Sequence, residues 1–145
     1  MFLVDKILQD WLKDKMPHKK KLFIFENAHT LANYLVKEFV KLAEGAISQK
    51  GSFNVALTGG KSIVEFYSKL SALKENVFWR DTHISLTDER FVPETHAESN
   101  FRMIKEMFLN DITIPSGNIY PIDTKEENVF LSAQKYEKTF FSSVS

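Results

Sequence analysis

The strongest constraint on the fold of this chain is an alternation of short apolar runs with amphipathic helical stripes, repeated four times. Residues 21–25 are a compact apolar run of strand length. Leu31, Leu35, Phe39, Leu42 and Ala46 then fall on one helical stripe, flanked by Ala32, Ala43 and Ile47, and Gly51 stops it. Residues 53–58 read as a second strand, nearly all apolar, as expected when both faces are covered. A helix over 62–73 buries Ile63, Phe66, Tyr67 and Leu70, and 82–87 is a third strand. Residues 100–109 form a helix with Phe101, Ile104 and Phe108 on its apolar side. Residues 118–122 are a fourth strand, which Pro121 weakens or places at an edge. Thr124-Lys125-Glu126-Glu127 has capping-box spacing ahead of a last helix carrying Phe130, Ala133 and Phe140.

This order implies an α/β fold, a Rossmann-like open parallel sheet with helices on both faces. No closing strand follows the last helix, so the sheet is expected to be incomplete at its C-terminal side. Ahead of the first strand, Leu3, Ile7, Leu8, Trp11 and Leu12 predict a short amphipathic helix, making 1–20 a helical extension. Residues 1–145 read as one partial domain, with 43% hydrophobic residues to build its core.

The charges balance at 19 basic and 19 acidic residues, so no global field draws in nucleic acid or an anionic membrane. The one basic run, His18-Lys19-Lys20-Lys21, beside Pro17, is short enough for a solvated loop. Absence of cysteine excludes disulfides and thiolate chemistry and suits a reducing cytosol. The first residues meet a charge at Asp5, too early for a secretory leader, and no apolar run approaches the ~20 residues that span a bilayer. A cytoplasmic protein with no membrane partner is the expectation.

In open α/β sheets, ligands bind beyond the carboxyl ends of the strands. Two such ends stand out. In Thr58-Gly59-Gly60-Lys61-Ser62, the glycines permit a sharp turn and a close approach to a ligand. Ser62 and Glu65 have capping-box spacing, which puts free backbone N–H groups right after the turn, where a phosphate is favoured. Lys61 adds a full charge. The alternative is a tight turn whose glycines serve geometry alone. A P-loop is not expected, because Val55 stands where that motif needs its first glycine. The second end is Asp88-Glu89-Arg90-Phe91-Val92-Pro93. Three charges directly after a buried strand must face a polar cleft or pair with one another. A carboxylate pair beside an arginine can position water, accept a proton and grip an anion. The alternative is a solvated loop with a local ion pair. His18 and His29 read as solvated, His83 as a satisfied strand residue, and His96 as a loop residue with no nameable partner. No metal-ligand spacing is present.

Leu57-Thr58-Gly59-Gly60, Trp79, Asp88 through Pro93 and Ser99-Asn100 resemble the 6-phosphogluconolactonase family in order and spacing, over residues 21–140. That family is grouped with the glucosamine-6-phosphate deaminases. The deaminases carry tyrosine after the Asp-Glu pair, whereas Arg90 here follows the lactonase pattern. The Ser99-Asn100 pair belongs to both branches. The resemblance implies hydrolysis of 6-phosphoglucono-δ-lactone to 6-phosphogluconate in the pentose phosphate pathway, with no metal and no cofactor. It places Gly59, Gly60, Lys61 and Ser62 at the phosphate, and Asp88, Glu89 and Arg90 in the catalytic cleft, Arg90 also holding substrate.

Two departures qualify it. Ile63 stands where the family often has proline. The family's second motif, Gly-x-Gly-x-Asp-Gly-His, whose histidine is the expected general base, is matched by none of the four histidines. The expectation is therefore a truncated or split lactonase that binds a sugar phosphate, and that associates with itself or with a missing C-terminal half. The alternatives are a deaminase or isomerase relative and a non-catalytic sugar-phosphate-binding fragment.

Overall fold

Three five- or two-residue strands, all parallel, form the sheet in the computed structural model, which describes residues 22–74 and 76–144. β1 (Phe53–Leu57) pairs with β2 (Thr82–Leu86), Val55 lying opposite Ile84 and Leu57 opposite Leu86. β2 pairs in turn with β3 (Ile119–Tyr120), through Ile84 opposite Ile119 and Ser85 opposite Tyr120. Pro121 ends β3 after two residues, since it has no N–H for the ladder. The fourth predicted strand is thus present and lies at an edge.

The first helix, α1 (Ala28–Lys50), begins on a reciprocal cap: Asn27 Oδ1 accepts from the Thr30 amide, and the Asn27 amide donates to Thr30 Oγ1. It ends where predicted, with Gly51 at φ 80, a left-handed conformation that costs other residues about 1–2 kcal/mol. Its inward line differs from the predicted one. Ala32, Phe39 and Ala43 are buried, whereas Leu31 and Leu42 are exposed. Ala32 and Ala43, on the adjoining line, join Phe39 in the core cluster, so the buried face is turned by about one position. α1 packs on β1 and on α2 (Val64–Ser71), which buries Phe66, Tyr67 and Leu70. α3 (Asn100–Ile104) runs on into a π-helical turn, Lys105–Leu109, and buries Ile104 and Phe108.

Aromatic rings fill the space between these helices and the sheet. Phe39 meets the rings of Phe53, Phe66, Phe78 and Trp79 at centroid distances of 5.3–6.3 Å. Trp79 is fully buried, and its indole N–H donates to the Leu73 carbonyl at 2.8 Å. Val55, Leu57, Ile84 and Leu86 share this face. Ala56 and Ser85 point the opposite way, because side chains alternate along a strand. On that side α4 (Val129–Val144) lies near the strand ends, where Ala56 and Tyr136 line one cavity. Helices therefore stand on both faces of an open parallel sheet.

Three further expectations change. Residues 22–25 form no strand: Leu22, Phe23 and Ile24 are exposed, and the Phe23 and Phe25 rings lean on Tyr34 instead. The sheet extends from β1 toward β3, so among the described residues no strand lies beside 22–25 to complete a ladder. Lys21 and the predicted helical extension, 1–20, lie outside the described residues. Neither predicted capping box forms. A 3₁₀ turn, Lys61–Ile63, precedes α2, whose first residue has no side-chain cap, and Ile63 is only half-buried. Glu65 instead meets His29 Nδ1 at 2.7 Å, so this exposed histidine has a partner. At α4, Asn128 Oδ1 accepts from the Phe130 and Leu131 amides, while the Thr124 hydroxyl donates to the Val92 carbonyl. An asparagine directly ahead of the first turn outcompetes a threonine four residues earlier.

Candidate functional site

The two charged or glycine-rich strand ends meet because β1 and β2 are adjacent and in register. Beyond the last ladder pair, the Thr87 amide still donates to the Leu57 carbonyl at 2.8 Å, and the Thr87 hydroxyl reaches the same oxygen at 3.2 Å. The chain after β1 turns through Thr58, whose carbonyl accepts from the buried Tyr67 hydroxyl at 2.5 Å. Burial pushes the Tyr67 phenol up to about 12, against the opposing pull of that hydrogen bond.

Gly59 and Gly60 are required for different reasons. At Gly59 the backbone conformation is ordinary, but a Cβ would fall 1.9 Å from Asn100 Oδ1 and 2.2 Å from Asn100 Cγ. At Gly60 the reverse holds: φ is 106, in the region that favours glycine, and among the described residues beyond its own chain neighbours none comes within 4 Å of the Cβ position. One glycine is demanded by close packing, the other by backbone geometry beside open space. Lys61 and Ser62 follow in the exposed 3₁₀ turn.

After β2, the three consecutive charges divide their work. Glu89 faces four donors. Its Oε1 accepts from the Arg90 and Asn100 amides, both at 2.7 Å, and its Oε2 from the Ser99 hydroxyl at 3.0 Å and the Phe101 amide at 2.8 Å. Ser99 is the N-cap of α3, its hydroxyl accepting from the Arg102 amide at 3.1 Å. Glu89 thus anchors the start of α3, where unsatisfied N–H groups favour an anion. Asp88 and Arg90 are half exposed and pair through Oδ2 and Nη1 at 3.1 Å. The Thr87 hydroxyl donates to Asp88 Oδ1.

Asn100, 5% exposed, joins both ends. Its Nδ2 donates to the Asp88 carbonyl and to Asp88 Oδ2, both at 3.1 Å, and its Oδ1 accepts from Arg90 Nη1 at 3.3 Å. Among the described residues, Arg90 Nε and Nη2 carry no hydrogen bond, leaving one edge of the guanidinium fork for a ligand.

Beside this junction an apolar cavity of about 690 Å³ opens between the strand ends and α4, lined in part by Asp88, Glu89, Phe91, Ile122 and Tyr136. Residues 59–62 and Arg90 do not line it. The Tyr136 hydroxyl donates to the Leu86 carbonyl and accepts from the Leu86 amide, where β3 is too short to continue the ladder. Burial raises its phenol, against the hydrogen bonds to Leu86 and Ser85.

His83 Nδ1 lies 2.9 Å from the Tyr120 hydroxyl, with the rings stacked, away from the glycine turn. His96 Nδ1 accepts from the Glu98 amide in the exposed loop. Among the described residues there is no group of three acidic or histidine side chains that would hold a metal, and no helix long and apolar enough to cross a membrane. Sequence reasoning singled out both strand ends but gave Asn100 no role. Its signal was a serine–asparagine pair at a helix start, and its partners lie 10 to 41 positions away.

A sequence profile of the family described as glucosamine-6-phosphate isomerases/6-phosphogluconolactonase matches residues 26–145. A probable 6-phosphogluconolactonase 3 of Oryza sativa subsp. indica, labelled chloroplastic, is 38% identical over 104 residues, covering 70% of this chain and 32% of the relative. The 6-phosphogluconolactonase of Nostoc sp. is 38% identical over 101 residues, 68% of this chain and 41% of its own length. The crystal structure of the Thermotoga maritima 6-phosphogluconolactonase superposes with a TM-score of 0.74 at 30% identity, over 83% of this chain and 53% of that one. A monomeric glucosamine-6-phosphate deaminase shares the fold, with a TM-score of 0.73 at 15% identity. The chain spans about a third to a half of the length of the curated relatives it matches.

Proposed function

This chain belongs to the glucosamine-6-phosphate isomerase/6-phosphogluconolactonase family, and on that premise we propose that it supplies the sugar-phosphate-binding part of a 6-phosphogluconolactonase. The reaction adds water to the lactone carbonyl of 6-phosphoglucono-δ-lactone. The ring C–O bond breaks, the ring oxygen takes a proton, and 6-phosphogluconate leaves. A lactone is an activated ester, so one general base, a positioned water and stabilisation of the oxyanion suffice.

The observation that carries this reading is the junction at Asn100, which packs against the glycine turn and bonds the Asp88–Arg90 pair at adjacent strand ends. The open space at Gly60 leaves room for a phosphate, with Lys61 supplying charge. Arg90 offers its unused edge to an anionic oxygen, and Asp88 orients Arg90 and faces the cleft. Glu89, saturated by four donors, acts as a positioning group rather than one that touches substrate. The histidine base of the family's second motif is assigned to the remainder of the domain. The lactonase branch is favoured over the deaminases by Arg90 and by relatives at 38% identity that bear the lactonase name. Alone, the chain is expected to bind without turnover. Its exposed Leu22, Phe23, Ile24, Leu42 and Phe130 support association with itself or with the rest of the domain. We also propose a cytoplasmic location, supported by the absence of cysteine. The chloroplastic label of the rice relative makes cell fractionation the check.

The test is hydrolysis of 6-phosphoglucono-δ-lactone above the spontaneous rate, with and without the downstream coding segment. Activity is expected only when a Gly-x-Gly-x-Asp-Gly-His segment completes the chain, and should fall at least about tenfold in kcat/KM for Arg90→Ala and Lys61→Ala. Activity that survives Asp88→Asn, Arg90→Ala and Lys61→Ala would remove the site assignment.

A further inference from the structure

We propose that Asn100 is a positioning residue that fixes the distance between the phosphate turn and the Arg90 guanidinium, so that two separate strand ends read one substrate as a unit. The inference rests on the proposed roles of Gly59–Ser62 and Arg90. Three features of the geometry lead to it.

Asn100 is buried and uses every polar atom of its side chain on the candidate site. Nδ2 holds the backbone and the carboxylate of Asp88, while Oδ1 receives Arg90 Nη1. Its Oδ1 and Cγ also occupy the volume that a Gly59 side chain would need. The same amide group therefore contacts both halves of the junction. Finally, its own position is set by Glu89, whose Oε1 accepts from the Asn100 amide at 2.7 Å. A shift of α3 along its axis would change the packing against Gly59 and the bond to Arg90 together.

An asparagine suits this task for a chemical reason. The site needs a donor toward Asp88 and an acceptor toward Arg90 within one flat group. Aspartate would face Asp88 with a second negative charge and no donor. Leucine would fit the volume but leave Asp88 and Arg90 to reorient. The absence of a side chain at Gly59 is the complementary half of the device, because only glycine lets the amide sit against the turn.

The test needs no ligand in its first two arms. In a cycle of Gly59→Ala, Asn100→Gly and the double variant, read by urea denaturation, Gly59→Ala is expected to lower the folding equilibrium at least tenfold in the wild-type background and by much less beside Asn100→Gly. An equal loss in both backgrounds overturns the contact. If Gly59→Ala alone fails to fold while the double variant folds, the contact is supported. In the second arm, NMR follows rotation of the Arg90 guanidinium. Asn100→Ala should speed it about tenfold, whereas Thr82→Ala, which removes a buried hydroxyl bonded to the Phe78 carbonyl, should leave it unchanged. Unchanged Arg90 rotation in Asn100→Ala overturns the positioning role, even if that variant is less stable.

The third arm titrates 6-phosphogluconate, read at the Gly59 and Gly60 amides. Asn100→Ala should weaken binding about tenfold or more, and Thr82→Ala should not. Wild-type chain that fails to bind 6-phosphogluconate contradicts the proposed function. The first two arms then still decide the role of Asn100.

Discussion

Glu89→Gln keeps the shape of the side chain, removes its charge, and turns one acceptor oxygen into an amide donor. In the native site both oxygens already face two donors each. Wherever the new NH₂ group sits, it opposes a backbone N–H that cannot rotate away: Arg90 and Asn100 on one side, Phe101 on the other. The Ser99 hydroxyl alone can turn to accept. The substitution loses at least one charge-assisted hydrogen bond, worth about 1.5–3 kcal/mol, and weakens the others on the remaining neutral oxygen. Loss of an anion at the start of α3 adds about 0.3–1 kcal/mol. A destabilisation of about 3 kcal/mol follows, or roughly 10 °C in Tm for a chain of this length. Urea denaturation should show a lower midpoint with an unchanged m-value. A Glu89→Gln chain within about 0.5 kcal/mol of wild type would refute the reasoning. It would mean that the carboxylate is not needed to hold α3, and would return Glu89 to the list of groups free to act on substrate.

Tyr136→Phe should destabilise by about 1–3 kcal/mol, read by thermal unfolding, because it leaves the Leu86 amide and carbonyl without their partner. Gly60→Ala should cost about 1–3 kcal/mol through backbone strain alone, since no neighbouring residue crowds its Cβ; an unchanged Tm would contradict the backbone conformation at φ 106, ψ 160. Tyr67, with its folded phenol raised from 10.0 to about 12, binds its proton more tightly folded than unfolded. Its contribution is therefore complete below pH 10 and lost as pH rises from 10 to 12, so Tm should fall across that window, and Tyr67→Phe should flatten that part of the profile. Size-exclusion chromatography of the 145-residue chain should show association rather than a clean monomer.

Periodicity made most of the fold legible. The C-terminal end of α1, β1, β2 and the edge character of β3 followed from runs of apolar residues and from Gly51 and Pro121, which act locally. What escaped depended on neighbours. The α1 stripe is rotated, with Ala32 and Ala43 buried and Leu31 and Leu42 exposed, and which line turns inward depends on what lies opposite. The run at 21–25 looks like a strand by composition, yet among the described residues no strand lies beside 22–25. The capping-box spacings at Ser62 and Thr124 were lost to a 3₁₀ turn and to Asn128. At the site, the glycine turn and the charged strand end were visible as sequence oddities. That Glu89 is saturated, and that Asn100 meets both ends, arises only when the start of α3 folds back onto the ends of β1 and β2.

The most direct test is a binding comparison on this chain: 6-phosphogluconate against gluconate, which lacks only the phosphate. 6-Phosphogluconate should bind, with amide shifts at Gly59–Ser62 and at Arg90; Lys61→Ala and Arg90→Ala should each weaken it, and gluconate should bind far less tightly. Equal binding of the two compounds, or phosphate-dependent binding that both substitutions leave intact, would rule out the proposed site.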